Sequence, residues 1–276
     1  MNVIPVGAVV ERFVNFLQSN YGAVFEAISD VIKGFMGGTQ TLLLSLPPIL
    51  FVLILAGLAY FLANWKVSLF TFGSLVFVFY IGIWVYFIQT FVLVLVSAIL
   101  SLAIGLPLGV LIARYDTLDR LLTPVLDFMQ TMPPFVYLIP AALLFGTGEV
   151  PGIISTIIFS MPPAIRLTKL GLRQVPEELE EVGQSFGLTG FQMLYKIKLP
   201  MALPSIMAGI NQSIMLSLSM VVIASMIGAE GLGSQVLTGI QRLEIGIGFE
   251  AGLGVVILAV ILDRMTGSIK LGKDKN

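Results

Sequence analysis

Four glutamates, Glu177, Glu178, Glu180 and Glu181, fall within five positions of a chain that is otherwise almost wholly apolar. They are its densest group of side chains able to do chemistry. No histidine or cysteine accompanies them. The usual transition-metal ligands, thiolate nucleophile and pH-7 proton shuttle are therefore missing. No Ser-His-Asp or Cys-His arrangement can form, and no other catalytic constellation is convincing. What the glutamates offer is contact. Residues 175–200 form a polar, helix-prone segment between apolar stretches, a natural docking element for a cytoplasmic partner.

The elements that position those glutamates are readable locally. Pro176 suits the first turn of a helix, where its missing N–H costs nothing. The glutamates behind it sit near the positive end of the helix dipole. Gly187 interrupts the helix, residues 188–196 begin a second short one, and Pro200 and Pro204 bracket the return to the apolar chain. The result is a helix–glycine–helix element lying across a membrane face.

Composition supplies the membrane. Of 276 residues, 57% are hydrophobic and 11% charged, with a mean hydropathy of +0.99, against about a quarter charged in ordinary soluble domains. Between Gly34 and Ala113 the sole charged side chain is Lys66. Such runs belong to bilayer spans of about 20 apolar residues. The fold class is an all-α polytopic membrane protein. Seven spans are expected, at 41–63, 67–84, 88–113, 130–147, 151–170, 203–227 and 250–268. The second and third are cut near Trp84, Tyr86 and Gln89, because Trp and Tyr favour the headgroup level. Prolines at 133, 134, 140, 162 and 163 break the fourth and fifth.

Residues 1–40 carry Glu11, Arg12, Glu26, Asp30 and Lys33 among apolar positions, which fits one or two amphipathic helices at an interface; a poorly ordered leader is the plainer reading. Residues 41–87 hold two accessory helices, 88–268 a five-helix core and 269–276 a basic tail. The start of the chain lacks a basic n-region and a cleavage site, so no removable signal peptide is expected. With the N-terminus outside, Lys66, Arg114, Arg120, Arg166, Lys169, Arg173, Lys196, Lys198, Arg264, Lys270, Lys273 and Lys275 lie inside. Only Arg12, Lys33 and Arg242 of the fifteen basic residues lie outside. That asymmetry puts residues 171–200, 114–129 and the C-terminus in the cytoplasm. Glu149, Glu230, Glu244 and Glu250 then face outward, either as solvated loop residues or as a rim for an external binding protein. A net charge of −1 gives no sign of a nucleic-acid partner.

The spacing Glu181-Val182-Gly183, then Gly187, Ile197, Leu199 and Pro200, resembles the EAA loop of ABC importer permeases, with Val182 and Gly183 in place of two alanines. A glycine at 183 loosens the helix by roughly 1 kcal/mol against Ala. The stretches 129–140 and 211–226, Gly105-Leu-Pro-Leu-Gly109 and Ile261-Leu-Asp-Arg264 are similar to those of permeases for glycine betaine and related osmoprotectants. The resemblance covers about residues 88–268. It implies a type I importer core in a bacterial cell membrane, with Glu181, Val182, Gly183, Gly187, Ile197, Leu199 and Pro200 coupled to an ATP-hydrolysing subunit. It further implies two copies of that subunit, a permease homodimer and an extracellular or periplasmic solute-binding protein. ATP and Mg would sit on the partner, so this chain is expected to bind no cofactor and to catalyse nothing.

A quaternary ammonium solute is attracted to aromatic faces. Phe135 and Tyr137, beside a proline break, could serve it, as could Ser213, Ser217 and Met220 in the sixth span; helix packing explains them equally. The stretch from Gly267 through Lys273 to Asp274 nearly spells a phosphate-binding loop, but Asp stands where Ser or Thr is needed and no strand precedes it. Gly228, Gly231 and Gly233 imitate a dinucleotide turn in what reads as a flexible or re-entrant outer connection. Asp127 reads as an isolated interfacial charge. Secondary transport or an osmotically gated channel is the rival function. It would call for ionisable residues buried in the spans, and the third and sixth contain none.

Overall fold

The computed structural model describes residues 6–268, and all the elements in that range are helical. The first is α1 (Val6–Ser45), a single helix of 40 residues. No proline interrupts the sequence between Pro5 and Pro47, so one helix forms and runs past residue 40. Pro47 and Pro48 end it, and α2 (Pro48–Leu62) leaves at 106° to it. Next, α3 (Trp65–Tyr80) is capped by Asn64, whose side chain accepts hydrogen bonds from the amides of Lys66 (3.0 Å) and Val67 (3.1 Å). α2 and α3 pack as a hairpin, pinned where the Ser68 hydroxyl donates to the Ala56 carbonyl at 2.8 Å.

The centre of the molecule is α7 (Glu149–Arg173), with α4 (Trp84–Arg114) and α10 (Leu199–Ser219) packed along it. Small residues let these backbones approach closely. A Cβ on Gly109 of α4 would stand 2.7 Å from Thr168 Cβ and 2.9 Å from the Ile165 carbonyl of α7. On an adjacent face of α7, a Cβ on Gly171 would meet the Ala202 carbonyl of α10 at 3.0 Å. Ser101 and Ser160 share a buried hydrogen bond of 2.7 Å across the α4–α7 contact. α13 (Ile245–Gly267) packs on α10, where Thr266 donates to Asn211 (2.6 Å) and Asn211 to Asp263 (3.3 Å).

Among the described residues, four helical stretches are long and apolar enough to cross a bilayer: Trp84–Arg114, Glu149–Arg173, Gly190–Ser225 and Ile245–Gly267. The total reaches six if α1 with α2, and α5 (Asp116–Thr131) with α6 (Pro134–Phe145), each count as one bent span. The sequence reading of seven is higher for a physical reason. The expected span at 41–63 straddles the Pro47–Pro48 bend, leaving α2 with 15 residues, or about 22 Å of helix against about 30 Å of hydrocarbon. The expected span at 130–147 likewise breaks at Pro133–Pro134, with α5 and α6 at 99°. α5 carries Asp116, Asp119, Arg120 and Asp127 and is no span alone. Conversely, α7 runs unbroken through Pro162 and Pro163, held between α4 and α10.

The connection after α10 is also ordered. α11 (Val221–Ser225) leads to a turn in which Gly228 and Gly231 take positive φ, and α12 (Leu232–Arg242) follows. Thr90 of α4 accepts a hydrogen bond from the Leu232 amide (2.7 Å), Gln89 donates to Glu230 (2.7 Å), and the Gly148 amide donates to the Ile227 carbonyl (2.7 Å). The glycine-rich stretch expected to be a flexible or re-entrant connection is tied to both α4 and the start of α7.

Candidate functional site

The polar segment between α7 and α10 folds as α8 (Glu177–Ser185), α9 (Gly190–Met193) and one π-helical turn (Leu194–Lys198) that runs directly into α10. Pro176 stands at the N-cap of α8, one residue earlier than its expected place inside the first turn. The end of α8 is set by its backbone. Gly187 has φ +71°, the left-handed region open to glycine. Its amide donates to the Gln184 carbonyl (2.8 Å), and the Leu188 amide donates to the Gly183 carbonyl (3.0 Å). Those two bonds make a Schellman ending. Thr189 and Gln192 then form a reciprocal capping box that starts α9.

The two sides of α8 differ. Glu177, Glu178, Glu181 and Val182 are exposed, and so are Phe186, Phe191 and Tyr195 beyond them. Phe186 and Phe191 retain 82% and 76% of their accessible surface. On the opposite side Gly183 is buried, and a Cβ there would lie 2.6 Å from Met193 Cε and 2.9 Å from Ile197 Cδ1. The glycine that weakens α8 as a helix is what lets it seat on the next element. Leu199 packs with Leu172, Ala202 and Ile206, while Pro200 is exposed on the first turn of α10. Beside it runs an apolar groove of about 700 Å³ between Leu106, Pro107 and Val110 of α4 and Leu203, Met207 and Ile210 of α10.

Charged side chains missed as a group in the sequence join α5 to the end of α7. Arg173 reaches Asp116 (2.7 Å) and Asp119 (3.1 Å), Lys169 reaches Asp119 (2.8 Å), and Arg166 pairs with Asp127. The Lys169 ammonium and the Thr123 hydroxyl hold the Asp119 carboxyl below the usual carboxylate range. Asp127 is therefore not an isolated charge. The only sequence signal was three basic residues, 166, 169 and 173, spaced to share one face of a helix.

The residues read as a solute path differ in exposure. Phe135 is half-exposed on α6, while Tyr137 is buried there with no hydrogen-bond partner for its hydroxyl among the described residues. Ser213 and Ser217 are fully buried on the α10 stripe shared with Gly209, which abuts Pro163, Ala164 and Leu167 of α7. Met220 is fully buried at the end of α10. The near-miss phosphate loop begins at Gly267, the last residue of α13, and its remainder from 269, with the tail, lies outside the described residues.

An all-helical core crossed by small residues, with an exposed polar helix pair let into it, invites comparison with known transporters. Residues 105–270 match the family described as the binding-protein-dependent transport system inner membrane component. The chain belongs to that family. Glycine betaine transport system permease protein OpuAB of Bacillus subtilis (strain 168) is 46% identical over 270 residues, covering 98% of this chain and 96% of the relative. Glycine betaine/carnitine transport permease protein GbuB of Listeria monocytogenes serotype 1/2a is 45% identical, over 95% and 94%. Glycine betaine/proline betaine transport system permease protein ProW of Escherichia coli (strain K12) is 44% identical, over 99% and 76%. Among solved structures, an inward-facing form of the MetNI methionine ABC transporter matches with a TM-score of 0.59 at 21% identity, over 72% of this chain and 99% of that one. The fold is that of a type I importer permease. This binding-protein-dependent permease is a multi-pass bacterial membrane protein and the non-catalytic transport component of its system.

Proposed function

We propose that this permease carries osmoprotectants, glycine betaine and related quaternary ammonium compounds, into the cell at the expense of ATP hydrolysed by a separate subunit. The three relatives above, at 44–46% identity over nearly the whole chain, are each named for glycine betaine. The chain itself binds no cofactor; ATP and Mg belong to the partner. Two identical permeases, related by closed two-fold symmetry, meet two ATPase subunits and one external binding protein. α8 and the chain's C-terminus face the cytoplasm and the N-terminus lies outside.

The observation that carries the coupling role is the two-sided build of α8. Glu181, Val182, Phe186 and Phe191 are left open, while Gly183 is pressed against Met193 and Ile197. In the proposed cycle, a loaded binding protein docks outside and ATP closes the ATPase pair. The open face of α8 is drawn inward with it, and the path opens to accept solute; hydrolysis resets it. Glu181 and Val182 make the docking contact, Gly187 shapes the end of α8, and Gly183, Ile197, Leu199 and Pro200 carry displacement into α10. Phe135 and Tyr137 offer aromatic faces to the quaternary ammonium, and Ser213, Ser217 and Met220 become a path only when α7 and α10 part. For this cycle, the docking contact must differ in free energy between the two states.

The test is reconstitution with the ATPase and binding protein. Glu181→Lys is expected to remain in the membrane and to abolish solute-stimulated ATP hydrolysis; unchanged turnover would overturn the reading. The permease alone, in proteoliposomes with an ion gradient, is expected to take up no glycine betaine. Gradient-driven uptake would point to a secondary transporter instead.

A further inference from the structure

One of the four clustered glutamates faces the other way. Glu180 is partly buried, and its Oε1 lies 2.6 Å from Nζ of Lys198, with side-chain exposures of 30% and 27%. Lys198 is the last residue of the π-helical turn and the N-cap of α10. Three residues on from Glu180, and so on the same face of α8, Gly183 meets Met193 and Ile197. α8 is thus fastened at two successive points to the segment that becomes α10. Arg114, at the end of α4, lines the same recess of about 390 Å³ as Glu180 and Lys198, and Glu180 is the one carboxylate among the described residues that line it.

We propose that Glu180 and Lys198 are a positioning pair that makes α8 and α10 move as one body, so that a pull on the open face of α8 reaches the membrane core. The proposal rests on the reading of α8 as the ATPase-docking helix. A nine-residue helix has little stability of its own and would yield under load unless braced. The Met193 and Ile197 contacts brace it without direction, since flexible side-chain ends can slide. The ion pair adds a directed link, and a π-helical turn, a rare element that is found frequently at functional sites, sits where that link enters α10.

The test uses the whole transporter, with ATPase and binding protein, in proteoliposomes. The readout is glycine betaine taken up per ATP hydrolysed, normalised to assembled complex. Glu180→Lys and Lys198→Glu are each expected to keep the ATPase on co-purification. Each should lower the ratio about ten-fold, within the range of coupling between sites. The double variant, which restores the pair with reversed charges, is expected to recover most of the loss. A purely structural role would reduce the amount of complex and leave the ratio alone. Should the reversals fail to reach the membrane, Glu180→Gln and Lys198→Met are expected to lower the ratio less steeply. Wild-type ratios in the single variants, or no recovery in the double, would overturn the pair's role. Failure of the wild-type chain to capture an ATPase would instead overturn the docking reading beneath it.

Discussion

Replacing Gly187 separates backbone conformation from bulk. Its φ of +71° lies in the left-handed region, and a Cβ built there would have nothing within 4 Å. Space is therefore free at this position, and the whole cost of a side chain is conformational. An ordinary L-residue held in that region costs about 1–2 kcal/mol, Asn less because it visits the region routinely, and a β-branched residue more. The two bonds that depend on this geometry, Gly187 to Gln184 and Leu188 to Gly183, are what end α8. A penalty of about 1–2 kcal/mol shifts a local equilibrium roughly 5- to 30-fold. Solute-stimulated ATP hydrolysis of the reconstituted complex should therefore rank glycine first, then Asn, Ala and Val. Asn should stay within about three-fold of wild type, and Val should fall furthest. Since Asn is larger than Ala, a ranking by volume would place Ala above Asn. That order, or a Val variant as active as wild type, would refute the reasoning.

Three further outcomes follow from the packing and pairing. Gly109→Ala, which meets a backbone carbonyl at 2.9 Å, should destabilise by about 1–3 kcal/mol. Gly105→Ala, with its nearest contact at 3.2 Å, should cost less; thermal denaturation in detergent compares them, and the reverse order would contradict the proposed α4–α7 fit. Asp119→Asn removes the shared partner of Lys169 and Arg173, and its melting deficit should shrink between about 0.05 and 0.5 M salt as screening weakens the wild-type pairs; a salt-independent deficit would mean packing, not charge, is lost. Thr90→Val leaves the buried Leu232 amide without its acceptor, at about 1–3 kcal/mol, and should speed hydrogen exchange at Leu232, while Thr90→Ser should not.

Local signals in the sequence carried the polar element well. Proline at 176, glycine at 187 and the glutamates between them each act on backbone within a few residues, so helix, stop and second helix are predictable. Long-range matters were less legible. The side of α8 that Glu180 takes depends on Lys198, eighteen positions on, and on a π-helical turn that shifts helical phase, which no periodic pattern reveals. Gly183 read as a weakness because propensity counts the helix alone; its reason is the Met193 and Ile197 contact. Asp127 looked solitary because its partner, Arg166, is 39 positions away in another helix. The count of seven spans is approximate where apolar runs hide bends. Hydropathy sums over a window and is blind to the 106° turn that two adjacent prolines make at 47–48.

The widened turn at Leu194–Lys198 also constrains how the chain can change length. Each residue of a regular helix advances the side-chain direction by about 100°, and a π-helical turn stores one residue beyond that regular count. Deleting one residue there would regularise the hydrogen bonding and leave Phe191 and Glu181 near their present bearing relative to Gly209, Ser213 and Ser217. Deleting one residue from the regular turns of α10 would instead swing them round by roughly a quarter of a circle and present the wrong side to the motor. The widened turn thus takes up a change in length that a regular helix would convert into rotation.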